Sequence, residues 1–149
     1  MAAVSLAPGS WLGLLGGGQL GRMFVHAAQR LGYKVLVLEP EADCPAAQAA
    51  DAAIDAEYTN AAALGEIAGR CAAATIEFEN VPAAALESLA AHIPVYPAAA
   101  AVAVAQNRIA EKRLFASCNV PVAPHRLIER AIDIERIDAS LLPGILKTC

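Results

Sequence analysis

Aromatic side chains are scarce in this chain, at 5% of 149 residues with a single tryptophan. The core must therefore be aliphatic. The hydrophobic fraction of 57% overstates that core, because much of it is alanine, which favours helix more than it fills space. Positive charge is also short: 11 Lys and Arg against 15 Asp and Glu leave a net charge of −4. Sequence-independent nucleic-acid binding needs a basic surface, so no nucleic-acid partner is expected. The four cysteines, Cys44, Cys71, Cys118 and Cys149, form no CxxC pair and have no His at ligand spacing. They read as buried thiols of a reducing compartment, and neither a metal site nor a disulfide framework is expected. The longest uncharged apolar run, "IPVYPAAAAVAVA" from Ile93, is too short to span a bilayer and holds two prolines. The opening "MAAVSLAPGS" lacks a basic n-region and is broken by Pro8-Gly9. No membrane partner is expected, and the location read from these features is cytoplasmic.

What the chain does have is alternation. "WLGLLG" (Trp11–Gly16) is a short apolar run ending in glycine, the pattern of a strand buried on both faces. Leu20, Met23, Phe24, Ala27, Ala28 and Leu31 then recur at helical spacing as one expected apolar stripe, stopped by Gly32. "KVLVLEP" (Lys34–Pro40) is a second buried strand, so the first forty residues spell a βαβ unit. A short strand around Ala53–Ala56, a helix over Leu64–Ala73, a strand over Ala74–Asn80, a helix over Pro82–Ala91 and a short strand in "IPVYP" follow. The fold class is α/β, an open, mostly parallel sheet flanked by helices.

Near residue 98 the character changes. Two helices separated by Gln106-Asn107 are expected up to about Cys118, then an edge strand in "VPVAPHRLIE", a helical turn over Asp133–Ser140, and the beginning of a strand in "LLPGILKTC". Residues 1–100 read as one complete unit and residues 101–149 as the opening of another, so the chain reads as a fragment.

Three places look chemical. Gly16, Gly18 and Gly21 fit GxGxxG between a strand and a helix, with Glu39 where a ribose-binding acid sits in dinucleotide folds. Glycines let the backbone approach a ligand, and the helix N-terminus offers free N–H groups to an anion. The same turn also serves folds with no ligand there. In "TIEFENVP", Glu77 and Glu79 interrupt a strand and, with a period of two, share one side, opposite Ile76 and Phe78. Carboxylates at the C-terminal end of a parallel strand suit ribose hydroxyls or an amine; a solvated or capping role fits Glu79 as well. In "QNRIAEK", Asn107 is the expected N-cap, which puts Arg108 in the first helical turn, where the dipole disfavours a cation. Lys147 in "ILKT" likewise follows an apolar run. His26, His92 and His125 are not spaced as a site and read as structural.

Taken together, "GLLGGGQLGRM", "VLEPEADCPAAQAAD", "IEFENVP", "AQNRIAEKRLF", "VPVAP" and "ILKT" resemble, in order and spacing, the ATP-grasp carboxylases of the N5-carboxyaminoimidazole ribonucleotide synthetase family. The resemblance runs from Leu12 to the end of the chain. It implies a Rossmann-like, pre-ATP-grasp substrate-binding domain over residues 1–100. Linker helices and the truncated start of an ATP-grasp domain would follow over 101–149. In this family the N-terminal domain holds no dinucleotide. The implied reaction uses ATP and bicarbonate, with Mg²⁺ assisting phosphoryl transfer, to carboxylate the amine of 5-aminoimidazole ribonucleotide in purine biosynthesis. Carried over residue by residue, Gly18, Gln19 and Leu20 would face the sugar phosphate of this small-molecule substrate. Glu77 would grip the same molecule, with Glu79 beside it, and Asp43 with Pro45 matches a nearby "D-x-P-A" loop. Arg108 and Lys147 match ATP-contacting positions. Asn107 departs from the family, which often has Asp there.

The glycine-rich ATP loop and the metal-binding carboxylates lie further along the family pattern, so no catalytic residue and no metal ligand is assigned here. ATP and Mg²⁺ would be held mainly outside this chain, which alone is expected to be inactive. The family also implies a homodimer, for which the apolar run Pro97–Ala105 offers surface. Three alternatives stay open: a formate-dependent glycinamide ribonucleotide transformylase-like protein, an NAD(P)-binding oxidoreductase domain using Glu39, and a non-catalytic nucleotide-binding or interaction module.

Overall fold

The computed structural model describes residues 5–147. It divides into two compact units, Met1–Ala103 and Val104–Cys149. The first is built on a five-stranded sheet in the order β3-β2-β1-β4-β5. Its strands are β1 (Trp11–Leu15), β2 (Lys34–Glu39), β3 (Ala52–Asp55), β4 (Ala73–Ile76) and β5 (Val95–Tyr96). Every neighbouring pair is parallel, with Leu15 level with Leu38 on one side and Ile76 on the other. The chain winds outward from β1 to β3, then restarts at β4 on the opposite flank. The crevice at this reversal lies beyond the ends of β1 and β4, the place where open α/β sheets receive ligands.

The helices cover both faces, and the sheet's period of two explains how. Leu15, Leu36 and Leu38 point to one face. There they pack with Ala63, Leu64 and Ile67 of α2 (Ala61–Arg70) and Ala85, Leu86 and Leu89 of α3 (Ala83–Ala90). Leu14, Val35 and Val37 point to the other, against Val25 and Ala28 of α1 (Gln19–Arg30). Burying each such Leu or Val contributes about 1.5–3 kcal/mol, so these two apolar layers hold the unit together without rings at their centres.

Helix α1 lies where expected, but of its expected stripe only Phe24 and Ala28 face the core. The buried positions are Gly21, Val25 and Ala28, whereas Leu20, Met23 and Leu31 are 65%, 66% and 70% exposed. The helix is turned by about one residue, roughly 100°, because it docks through a glycine. A Cβ on Gly21 would come within 3.0 Å of the Gly16 carbonyl and 3.3 Å of Leu14 Cδ2. Only the small face can enter that space. Gly32, at φ +84°, ends the helix as the sequence suggests.

Four further segments differ from expectation. Helix α2 begins and ends three residues early because Asn60 caps it, its Oδ1 accepting from Ala62 and Ala63 N–H at 3.0 and 3.1 Å. Strand β4 stops at Ile76, and residues 77–80 bend away, so Glu77 and Glu79 are not alternating strand residues. "VPVAPHRLIE" forms no strand; Pro121 and Pro124 have no N–H to give a ladder. Residues 142–147 of "LLPGILKTC" are also irregular, lacking any strand partner among the described residues.

At the far end of β1 from the glycine turn, the half-buried Trp11 carries the Arg70 guanidinium 3.7 Å from its ring centroid and the Lys34 ammonium at 5.5 Å. These are cation–π contacts joining β1, β2 and α2. Helix α4 (Ala99–Ala105) closes the first unit through Ala99 and Val102.

In the second unit α5 (Arg108–Ser117) starts at Asn107, whose Oδ1 accepts from Ile109 and Ala110 N–H at 3.0 Å each. Two 3₁₀ segments follow, Ala131–Arg136 and Ala139–Leu141. None of its described residues is buried. Of the cysteines read as buried thiols, Cys44 and Cys71 are buried, whereas Cys118 is exposed, because α5 has no inner face. Cys149 lies outside the described residues. All three histidines are exposed.

Candidate functional site

The glycine turn folds as its composition requires. Gly16 stands at φ +117°, a conformation L side chains rarely adopt. A Cβ there would sit 2.6 Å from Glu77 Cβ. One residue on, a Cβ on Gly17 would collide with Cys44 Sγ and lie 2.6 Å from Glu39 Cγ; on Gly18 it would collide with Glu77 Oε1. The three glycines are thus a slot between two walls. One wall is Glu77 and Phe78 after β4, and the other is Glu39 at the end of β2 with Cys44 beyond it. Backbone hydrogen bonds fix both. Glu77 N–H donates to Leu15 O at 2.9 Å, Gly16 N–H to Leu38 O at 3.1 Å, and Ala46 N–H to Gly17 O at 2.8 Å.

Across this slot Gly18 N–H donates to Glu77 Oε2 at 2.8 Å. Gly18 is the N-cap residue of α1 and offers no side chain to cap it; its own N–H is taken by a carboxylate 59 residues away. Its negative charge also faces the positive end of the helix. Gln19 and Leu20, the first two residues of α1, are exposed beside that contact. In a helix their N–H groups have no intrahelical acceptor.

The ribose-acid expectation for Glu39 meets a different arrangement. Tyr58 donates its hydroxyl to Glu39 Oε2 at 2.6 Å. Burial first, then this hydrogen bond and the Glu39 and Glu77 carboxylates nearby, push the Tyr58 hydroxyl well above its usual range. The phenol therefore stays protonated and keeps donating. A dinucleotide would have to displace Glu77 from the helix N-terminus and Tyr58 from Glu39, so the slot is poorly matched to one. Neither the Gly18–Glu77 contact nor the Tyr58 latch was legible in the glycine pattern. The only sequence signal for Tyr58 was an aromatic residue in an aromatic-poor chain.

The other expected residues are dispersed. Glu79 is exposed in the turn after β4. Asp43 is exposed in the turn after β2, its Oδ1 accepting from Gln48 Nε2 at 2.8 Å. In the second unit Arg108 opens α5 with its guanidinium 3.1 Å from Glu111 Oε2 one turn on, which offsets its unfavourable place at the helix start. Lys147 is exposed in an irregular segment. Among the described residues no three His, Cys, Asp or Glu side chains are grouped to hold a metal ion. No helix is long and apolar enough to cross a membrane among the described residues.

Comparison with known proteins bears on this geometry. Residues 10–106 match the family model of the ribonucleotide synthetase preATP-grasp domain. The N5-carboxyaminoimidazole ribonucleotide synthase of Brucella melitensis is 45% identical over 95% of this chain, which spans 38% of that relative's length. A crystal structure of an ADP complex of N5-carboxyaminoimidazole ribonucleotide synthetase superposes with a TM-score of 0.87 at 36% identity, covering 96% of this chain and 38% of that one. The Aspergillus clavatus N5-carboxyaminoimidazole synthase, in complex with ADP and 5-aminoimidazole ribonucleotide, superposes at 0.79 with 31% identity, covering 91% and 37%.

Proposed function

From a chain that belongs to the ribonucleotide synthetase preATP-grasp domain family, we propose the following function: it is the ribonucleotide-holding part of an ATP-dependent carboxylase of purine biosynthesis. The full-length enzyme would convert 5-aminoimidazole ribonucleotide, bicarbonate and ATP to N5-carboxyaminoimidazole ribonucleotide, ADP and phosphate. The observation that carries this reading is the Glu77 carboxylate held on Gly18 N–H at the sheet's reversal point, beside the exposed start of α1.

In this arrangement the Gln19 and Leu20 N–H groups receive the substrate's phosphate at the positive end of α1. Glu77 spends one oxygen on Gly18 and presents its remaining lone pairs to ribose hydroxyls. That division keeps the carboxylate and the phosphate from competing for the same donors. Gly18 shapes the floor, and Asp43 and Glu79 stand at the rim. Arg108 and Lys147 contribute to ATP binding; for Arg108 this requires exchanging Glu111 for a phosphate, an exchange a half-exposed ion pair permits at little cost. Mg²⁺, when bound, neutralises charge in phosphoryl transfer, and its ligands come from sequence beyond these residues. The full-length protein works in the cytoplasm as a homodimer. The names of the matched relatives favour the carboxylase over the formate-dependent transformylase, and the occupied slot disfavours the NAD(P) reading.

Calorimetric titration of this chain with 5-aminoimidazole ribonucleotide, ATP and NAD in turn tests the proposal. Binding of the ribonucleotide, lost in Gln19→Ala and Glu77→Ala, is the expected result. Heat from NAD with none from the ribonucleotide would overturn it. No carboxylation by this chain alone is expected in an ATP- and bicarbonate-dependent assay.

A further inference from the structure

The two walls of the glycine slot follow different strands, and Tyr58 reaches both. Tyr58, in the turn between β3 and α2, hydrogen-bonds Glu39 on the β2 wall at 2.6 Å. Its ring meets Phe78 on the β4 wall edge-on, with centroids 6.1 Å apart and planes at 61°, a favourable aromatic geometry. Phe78 adjoins Glu77 in the chain, and both press on Gly16: a Cβ at Gly16 would lie 3.2 Å from Phe78 Cδ1. Glu77 N–H still donates to Leu15 O at 2.9 Å and anchors the backbone there, but residues 77–80 have left the strand. Beyond that one bond the segment relies on side-chain packing, and Tyr58 supplies part of it at Phe78.

We propose that Tyr58 is a positioning residue for the ribonucleotide site: by tying Glu39 to Phe78 across the glycine turn, it holds Glu77 on Gly18 N–H. Tyr58 touches no substrate and acts through Glu77. The inference deepens the ribonucleotide reading above, and its effect on binding rests on that reading. Its effect on the Gly18–Glu77 hydrogen bond does not.

The half-buried Tyr58 phenol has a nearly isosteric replacement, so Tyr58→Phe keeps the ring against Phe78 and removes only the tie to Glu39. Glu39→Gln keeps an acceptor for the hydroxyl and serves as the conservative rescue. Amide hydrogen exchange followed by NMR reads the two in this chain. In Tyr58→Phe, exchange at Gly18 N–H should accelerate about tenfold, the scale of one lost hydrogen bond. Exchange at Cys71 N–H, bonded to Ile67 O at the end of α2, should stay unchanged. Glu39→Gln should leave Gly18 near wild type. Unchanged Gly18 exchange in Tyr58→Phe would overturn the proposal. So would equal acceleration at Gly18 and Cys71, which marks general loss of stability.

Titration with 5-aminoimidazole ribonucleotide is the second arm. Affinity should fall severalfold in Tyr58→Phe and hold in Glu39→Gln. Equal affinity of Tyr58→Phe and wild type, with Gly18 released, would overturn the role at the site. Selective release of Gly18 in a wild-type chain that binds no ribonucleotide would leave the positioning intact and remove the functional reading instead.

Discussion

The two units of this chain are made of similar residues and differ in what those residues meet. Leu38, Leu86 and Leu89 of the first unit are 0%, 0% and 1% exposed, while Leu114 and Phe115 of the second are 45% and 36% exposed. Both units start a helix on an asparagine whose Oδ1 accepts two backbone N–H groups, Asn60 for α2 and Asn107 for α5. Local signals are thus equally good in both. The first unit adds two apolar layers on a sheet, and the second has no buried described residue. Helical propensity and capping start an element; burial of a face decides how much free energy depends on it.

The largest effect that separates the units is expected from truncating leucines. Leu38→Ala or Leu86→Ala should cost about 2–5 kcal/mol in urea unfolding, against within about 0.5 kcal/mol for Leu114→Ala. Equal costs would break the contrast. Next, Gly18→Ala should lose about 1–3 kcal/mol by driving a methyl group into Glu77. Gly65→Ala on α2, where nothing lies within 4 Å of the added Cβ, should gain about 0.5–1 kcal/mol. Thermal melts of the pair check both signs.

The matched caps sharpen the comparison further. Asn60→Ala should lower the global unfolding free energy by about 1 kcal/mol. Asn107→Ala should cut helicity and amide protection only in α5, leaving the main transition in place. The last effect is alkaline. Burial, partly offset by the neighbouring Arg70, pushes the Cys71 thiol from its usual 9.0 up to about 11. The folded chain keeps that proton after the unfolded chain has released it. Its contribution is complete below pH 9.0 and is lost as the pH rises through about 11. A stability profile over this range should flatten in Cys71→Ala, and native-state alkylation should label Cys118 but not Cys71.

The alternation of strands and helices in the first unit was legible because each apolar run there finds its partners nearby in the chain. The sheet class, the glycine turn and the Asn107 cap follow from local pattern, whereas the Asn60 cap was missed and with it the start of α2. The face of α1 was not legible. Leu20, Met23 and Leu31 make the more hydrophobic stripe, but the close approach of Gly21 to Gly16 selects the smaller one. Nor was the length of β4, since nothing local distinguishes Glu77 in a strand from Glu77 in a bend. At the site, Gly18 and Glu77 were each visible as candidates and their contact was not, because a bond across 59 residues has no local signature. The strand alternation that put Glu77 and Glu79 on one side does not apply, because β4 ends at Ile76.

The tryptophan clasped between Arg70 and Lys34 gives the protein a built-in optical gauge. It is the chain's only indole, and it sits at the start of β1, about 13 Å along the strand from Leu15 at 3.3 Å per residue. Its emission will register melting of the sheet while staying nearly blind to occupancy of the glycine slot. Since Val104–Cys149 contains no second fluorophore of this kind, the emission will also pass over fraying there. Tryptophan fluorescence and far-ultraviolet dichroism recorded on one sample should therefore part company on heating, and the gap between the two curves measures the second unit alone.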